Sequence, residues 1–494
     1  MNNIDEKKRT RNILSSFADN KELISNLGRD ELNDLMKFCC IVLSEPYTIA
    51  DKTKAINILY HVAFLDIISL EEAWQIYWII TSETFSNYKI LLKDGNLLTL
   101  YKHIYQFVSS VVTCDQPYRN WDTRNKDCIV VLVSQFLSER HAPTLRALDY
   151  SYTLQKILNK RVILINTGEQ NFYRSQYLEP SFQFNFVPGY SNYTKINYKD
   201  ITIDFYQVDS KMPNINIMQD IVDYIYEINP LFVYNIGASS IVTDLCTRFT
   251  TTVSLPCLTA IPISCSKYLL LGRKLETADE ERLRTLEDDQ HVIETSFNYI
   301  IRQSDKIYTR EQFGIQKDVF LISIVGNRLG KEITTEFMQL LEDVTTDDDI
   351  EVAFVGKIDN KEILDKIDKN RRFHFTGQLQ DASEFIKISN LNLNPKRKGG
   401  GRAGFEALHY GVPVLTLEYG DVYNVVGIDF AVKNYTEMAT TIMKYYNDKE
   451  YFEEMKKKAL LRAKELSDIE GNLRKVVNTI MELETKSNDT EGSI

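Results

Sequence analysis

Apolar residues recur every three or four positions through the first part of the chain and gather into uninterrupted runs after it. Leu32, Leu35, Met36, Phe38 and Cys39 form one such face, Ala55, Ile56, Ile58, Leu59 and Val62 a second, and Leu70 to Ile80 a third. That period predicts amphipathic helices, separated at Pro46 and at Asp94-Gly95-Asn96. Residues 1 to about 118 therefore read as all-helical, with no 34- or 40-residue repeat clear enough for a solenoid. Trp74 and Trp78 suit either core packing or an interface. Tyr118 to Asp127 is polar and reads as a linker.

From Ile129 the pattern changes. Ile129–Val133 is a continuous, mostly β-branched run, as expected of a parallel strand covered on both faces. A helix over Thr144–Leu158, a strand over Arg161–Asn166, a helix over Ile217–Ile228, a strand over Leu231–Asn235, a helix over Ser239–Phe249 and a strand over Thr252–Leu255 follow. Strands alternating with helices imply a doubly wound parallel sheet. Glu276–Gln290 has the pattern of a solvated helix. A second sheet begins at Val319–Val325 and continues through Glu351–Val355, Phe373–Phe375, Leu391–Asn394 and Val412–Leu417. Helices over Tyr435–Tyr446, Tyr451–Leu466 and Ile469–Leu483 close the chain, and Lys486–Ile494 reads as disordered.

Between Pro395 and Gly411 lies the densest chemistry. Lys396, Arg397 and Lys398 lead into Gly399, Gly400 and Gly401, and Arg402–Tyr410 reads as a helix stopped by Gly411. A helix start carries unpaired amides and partial positive charge, so an anion is its natural occupant. The chain as a whole has net charge −11, so this basic cluster runs against the global balance and points to a phosphate or diphosphate; a solvated loop is the alternative. Gly399, Gly401 and Gly404 also spell G-x-G-x-x-G, with Glu418 at a following strand end, the form of a dinucleotide fingerprint. Two features weigh against it. Four residues separate the strand from the first glycine, and the mainly helical chain after Glu418 leaves too few strands for a dinucleotide domain. No glycine is followed by Lys-Ser or Lys-Thr, as a P-loop requires.

The segment Asn394–Val414, with its glycine loop, Glu406 and the ending Ala-Leu-His-Tyr-Gly-Val-Pro-Val, resembles the donor-binding signature of nucleotide-sugar glycosyltransferases with the two-Rossmann GT-B fold. The resemblance is specific over about fifty residues. It implies an α/β protein with two Rossmann-like domains and an all-helical N-terminal extension: 1–118 helical, 119–315 the acceptor-side domain, 316–445 the donor-side domain, and 446–494 C-terminal helices and tail. It further implies that Gly399, Gly400, Gly401 and Arg402, with Arg328 and Lys331 after the first strand of the second sheet, hold the donor diphosphate, and that Glu406 holds the ribose hydroxyls. Retaining families often carry a second glutamate eight residues before this one. Here that position is Lys398, which leaves inversion or retention open and matches the looser pattern of protein O-GlcNAc transferases.

Backbone around Gln378 and Leu379 follows a strand of the same sheet and is placed to read the base. Asn327, Lys398 and Asp421 are candidate sugar contacts, and Gly420–Gly427 is expected to close over the phosphates or sugar. In the resembled families the loop after the first strand faces the acceptor and often carries the general base; His141 is the first candidate and Glu139 the second. An imidazole can take a hydroxyl proton near neutral pH, whereas His141 could instead simply cap the helix starting near Thr144.

Composition narrows the class further. With 44% hydrophobic and 26% charged residues the chain is an ordinary globular one, and the acidic balance argues against a nucleic-acid partner. No apolar run reaches membrane-spanning length and no signal segment precedes the helices, so a cytoplasmic protein, or one peripheral at the inner membrane face, is expected. Seven cysteines without C-x-x-C spacing read as reduced core residues. Asp347 and Asp349 spell D-x-D in an acidic turn, yet the basic groups above can replace a metal; neither metal nor cofactor is expected. The reading is a sugar transferase using a nucleotide-diphosphate sugar, UDP being usual for this fold, with a saccharide, lipid-linked or protein acceptor. Residues 1–118 would serve a homo-oligomer or an accessory protein. The rival is a non-catalytic, transferase-like partner subunit.

Overall fold

The computed structural model describes residues 3–139, 141–178, 186–302, 304–346 and 349–491. Its run Ile129–Val133 lies in strand β1, Cys128–Val133, every residue of which is buried. Seven further strands join it: β2 Arg161–Asn166, β3 Lys195–Tyr198, β4 Ile201–Gln207, β5 Val233–Gly237, β6 Thr252–Pro256, β7 Tyr268–Leu271 and β8 His291–Glu294. Their order is β3-β4-β2-β1-β5-β6-β7-β8, parallel throughout except for β3 against β4. A second sheet contains β9 Phe320–Gly326, β10 Ile350–Gly356, β11 Phe373–Gly377, β12 Leu391–Leu393, β13 Val414–Leu417 and β14 Ala431–Val432. It is ordered β11-β10-β9-β12-β13-β14 and wholly parallel. Contacts divide the chain into Met1–Thr295 with Leu473–Ile494, and Ser296–Asn472.

In the first unit the N-terminal helices are Asn3–Asp19, Lys21–Ser25, Arg29–Ser44, Ile49–Val62, Leu70–Ser86 and Leu97–Val111. Their starts are set locally: Thr48 with Asp51, and Ser69 with Glu72, form reciprocal caps that satisfy the first amides. Their apolar faces do not form a separate core. Ile56, Trp74 and Leu100 belong to the same buried cluster as Val130, Leu132 and Ile163 of the first sheet. The boundary expected near residue 118 is thus no boundary in packing. Trp74 and Trp78 are 2% and 3% exposed, which assigns them to this core.

The C-terminal helix Ile469–Glu491 enters the first unit from Leu473, later than the expected division at 446. There the buried carboxylate of Glu484 accepts a hydrogen bond from Tyr268 at 2.9 Å and pairs with Lys267 at 2.7 Å. Burial opposes its charge, but the Lys267 hydrogen bond and charge hold the carboxyl below its ordinary value. Lys486–Glu491 continues this helix instead of being disordered, because each added residue extends a hydrogen-bonded ladder already nucleated; 492–494 lie outside the described residues.

Two other expectations change, and one unassigned segment takes on structure. Glu276–Gln290 is not one helix but a short turn at Thr277–Asp279, four helical residues Glu280–Leu283 and irregular chain, flanked by β7 and β8. Arg273 explains the break, since its paired bonds to Asp279 at 2.6 and 2.8 Å pull the segment back on itself. Gly420–Gly427, given no element in the sequence, contains the helix Gly420–Val426. Finally, the second sheet holds enough strands for a dinucleotide-type fold: numbered within the unit, its order is third, second, first, fourth, fifth, sixth. The G-x-G-x-x-G spelling fails for another reason. It follows the fourth strand, whereas the fingerprint belongs on the turn after the first.

Candidate functional site

In an open parallel sheet the crevice lies at the carboxyl ends of the strands where their order reverses. In the second unit that point falls between β9 and β12, paired through Leu391 with Ile322 and Asn392 with Ser323. Register here is fixed by buried polar partners as well as apolar ones: Asn392 Nδ2 donates to Ser323 Oγ at 3.2 Å and Asn394 Nδ2 to Thr416 Oγ1 at 2.9 Å. Buried amides cost free energy unless bonded, so a slipped strand would be penalised against both neighbouring strands.

The turn after β9 carries Asn327, Arg328 and Lys331; the turn after β12 carries Lys398 and the three glycines. Asn327 and Lys331 are exposed. Arg328 Nη2 pairs with Glu332 Oε1 at 3.2 Å and stays 34% exposed. Glu332 is buried and takes a second cation, Arg397 Nη1, at 3.1 Å. Glu332 does not stand out in the sequence, and Arg397, read there as part of the basic cluster around an anion, is instead buried against this carboxylate. The four-residue spacing of Arg328 and Glu332 is the one local signal of the pairing.

Gly400 caps the helix Gly401–His409 in the left-handed region, φ +102°, and among the described residues no side chain bonds the helix's first amides. That leaves the amides and helix dipole for an anion. The glycines also serve the protein itself: a Cβ at Gly400 would lie 2.8 Å from Arg397 Nε, and one at Gly401 would lie 2.9 Å from Val425 and 3.1 Å from the Tyr299 hydroxyl. Gly399 is buried. Arg402, expected on the diphosphate, donates instead to Glu406 Oε1 at 2.9 Å and to the Ile300 carbonyl at 3.1 Å, because the two charged residues lie one helical turn apart. Burial pushes the Glu406 carboxyl above its ordinary value, against the pull of Arg402, while Asp381 adds to the rise. Burial likewise pulls the Lys398 ammonium below the ordinary lysine value.

Asp421 is buried in the helix Gly420–Val426, and its amide donates to the Lys398 carbonyl at 2.9 Å; this bond ties the helix to the glycine loop. After β11, Gln378 is exposed, whereas the Leu379 side chain packs on the cluster around Ile315, Val319 and Phe385. Asp381 caps the following helix, Ala382–Ile386, through Ser383.

The first sheet reverses between β1 and β5, and the loop after β1 carries the two base candidates. Glu139 is exposed. His141 occupies the cap position of the helix Ala142–Tyr152, but its ring does not bond a helix amide; Nδ1 meets Thr144 Oγ1 at 3.0 Å. Burial pulls the imidazole down to about 4. It is therefore neutral at pH 7 and able to accept a proton, though a weak base for the task.

A carboxylate absent from the sequence reading dominates this edge. Glu169 accepts from Ser240 Oγ at 2.6 Å, the Ile241 amide at 2.8 Å and Thr167 Oγ1 at 3.0 Å, and its carbonyl takes the Trp74 indole at 3.0 Å. Burial raises it to about 7, against the pull of those hydrogen bonds.

Among the described residues no group of three or more His, Cys, Asp or Glu side chains is placed to hold a metal ion, and no helix is long and apolar enough to cross a membrane. Asp347 of the D-x-D spelling lies outside the described residues.

Comparison with known proteins bears on this arrangement. Residues 305–462 match the family model described as glycosyl transferases group 1. No curated protein matches the chain. Among solved structures, a mutant O-GlcNAc transferase from Thermobaculum terrenum is similar over 98% of this chain and 94% of its own, with TM-score 0.60 and 11% identity. HepE from Anabaena in complex with UDP is similar over 72% and 99%, with TM-score 0.50 and 13% identity. A sucrose-phosphate synthase from Thermosynechococcus elongatus is similar over 72% and 99%, with TM-score 0.50 and 10% identity. The chain resembles GT-B glycosyltransferases, with two Rossmann-like α/β portions and a helical N-terminal extension.

Proposed function

We propose that the chain is a glycosyltransferase moving a sugar from a nucleotide-diphosphate sugar, UDP-linked, to a hydroxyl of a polysaccharide, glycolipid or protein acceptor. One observation carries the reading: the turn bearing Arg328 and Lys331 and the uncapped, glycine-led helix Gly401–His409 leave adjacent strands at the reversal point of the second sheet. The group 1 match over 305–462 supports the reaction class, and the UDP complex of HepE, which shares the fold, supports the nucleotide.

In this reading the acceptor oxygen attacks the anomeric carbon as the nucleotide diphosphate departs. Negative charge then grows on the leaving phosphate, where the helix amides and dipole, Lys331 and Arg328 are preorganised to receive it. Arg328 offers a planar pair of donors and Lys331 a mobile point charge. Glu406, partly buried and paired with Arg402, offers carboxylate oxygens to the ribose. His141 and Glu139 remain the candidates for accepting the hydroxyl proton.

A second reading, a transferase-like subunit without activity of its own, is favoured by His141, whose low basicity suits a proton acceptor poorly. Thermal melts with UDP, GDP, ADP, NAD and common sugar conjugates test both. A ligand that binds only the native state raises the midpoint. The transferase reading expects a rise with UDP that Arg328→Ala and Glu406→Ala abolish, followed by UDP release from one conjugate. A rise with NAD alone sinks it; UDP binding without turnover of any conjugate, even with candidate acceptors, favours the inactive subunit.

A further inference from the structure

The glycine loop is assembled around an arginine that this chemistry leaves unused. Arg397 is 6% exposed. Its Nε donates to Asn394 Oδ1 at 2.6 Å, and Nη1 donates to the Val325 carbonyl at 2.8 Å as well as pairing with Glu332. Three segments make room for it by lacking a Cβ. One at Gly326, the end of β9, would lie 2.5 Å from Nη1; one at Gly400 would lie 2.8 Å from Nε; one at Gly420 would strike the Arg397 carbonyl. So enclosed, Arg397 cannot turn to a ligand. Arg328, on the other side of Glu332, keeps a third of its side chain exposed.

We propose that Arg397 is a positioning residue acting through Glu332: it fixes how tightly Arg328 is held, and thereby how readily Arg328 passes to the diphosphate of a nucleotide at this reversal point. The inference rests on the donor-site reading above. Glu332 is a buried carboxylate, and stripping such a group of its counterion is strongly unfavourable. Were Arg328 its sole partner, handing Arg328 to a phosphate would strand that charge. Arg397, anchored by Asn394 and Val325 independently of any ligand, keeps Glu332 compensated while Arg328 exchanges carboxylate for phosphate. The bonds to the Val325 carbonyl and Glu332 clamp the β9 and β12 turns to each other, so both halves of the cradle depend on one side chain.

The test is a double-mutant cycle on the full chain, titrating UDP and inorganic pyrophosphate into wild type, Arg397→Gln, Glu332→Gln and the double variant, with folding checked by circular dichroism. Arg397→Gln is expected to weaken UDP binding about 5- to 150-fold, the usual span of coupling between sites. Adding Glu332→Gln should restore most of that loss, because a neutral amide no longer retains Arg328. A merely structural Arg397 predicts no such rescue. Glu332→Gln alone should bind UDP more tightly than wild type, and this holds the proposal to account even should Arg397→Gln fail to fold. Weaker binding by Glu332→Gln, wild-type binding by Arg397→Gln, or a double variant no tighter than Arg397→Gln overturns it. Wild type that binds neither probe overturns the donor-site reading itself, and this inference with it; wild type that binds both with an additive cycle overturns this inference alone.

Discussion

The chain contains the same topological device twice, and the two copies are furnished in opposite ways. Each sheet reverses its strand order after its first strand, between β1 and β5 in one unit and between β9 and β12 in the other. At the first reversal the loops are locked by a buried acid, Glu169, with Ser240, Thr167 and the indole of Trp74 around it, and the Tyr77 hydroxyl meets Ser239 Oγ at 2.6 Å. At the second the cradle is basic, with Arg397 and Arg328 sharing Glu332 and a helix start left open. Topology supplies a crevice in both cases. What fills it decides whether the chain itself or an anion completes the hydrogen bonds.

Four measurements can break or sharpen this contrast, the largest effect first. Trp74→Ala removes a fully packed indole and the hydrogen bond on Glu169, so it should cost the first unit about 3–5 kcal/mol in chemical denaturation. All three tryptophans, Trp74, Trp78 and Trp121, lie in that unit, so the fluorescence of the remaining two reads it selectively. A loss under 1 kcal/mol would return the N-terminal helices to the status of a detachable extension.

Lys331→Ala comes next. If the second crevice stabilises a leaving diphosphate, turnover should fall about a hundred- to a thousandfold with the second-unit transition in circular dichroism unchanged. Unaltered turnover would remove the basic turn from the chemistry.

The third is a pH profile of the first unit. Burial raises Glu169 from 4.5 to about 7 in the folded chain. A carboxyl raised on folding contributes stability that is complete below its unfolded value and is lost as pH climbs through the folded one. The Glu169 contribution to tryptophan-monitored stability should therefore decline by roughly 3 kcal/mol between about pH 4.5 and about 7, then level off. Asp244, raised by burial from 3.8 to about 6, adds a separate fall of roughly 3 kcal/mol that begins and ends lower. Glu169→Gln should leave only the Asp244 portion, and a slope identical to wild type would show that Glu169 is charged throughout.

The smallest effect is expected at Gly400. Alanine there must hold a left-handed φ and press on Arg397, costing about 1–3 kcal/mol. The loss should appear in circular dichroism of the second unit and not in tryptophan fluorescence, accompanied by weaker UDP binding. An unshifted transition would mean that Arg397 yields, and the cradle is less rigid than its contacts imply.

Much of the fold was legible because long periodic or continuous apolar runs leave few options. Arg161–Asn166 is a strand with the bounds its sequence predicts, and the helix after the glycine loop differs by one residue at each end. The strands β7 and β8 were not legible, since four residues apiece carry too little periodicity and the acidic stretch between them imitates a helix. In the candidate site, the basic turn and glycine loop could be seen as separate segments. The occupancy of Arg402 by Glu406, and the carboxylates Glu169 and Glu332, could not.

By itself the sequence determined where strands, helix starts and turns form, because those depend on neighbours within a few residues: glycine where a Cβ is forbidden, a reciprocal cap at Thr48 and Asp51, β-branched runs in β1. Only the tertiary structure decided which of the three consecutive basic side chains Lys396, Arg397 and Lys398 turns inward. Arg397 lies between two lysines and nothing local distinguishes it. It is buried because the Val325 carbonyl and Glu332, from the distant β9 turn, join Asn394 of its own turn around it, and a buried guanidinium is stable only where such partners are already assembled.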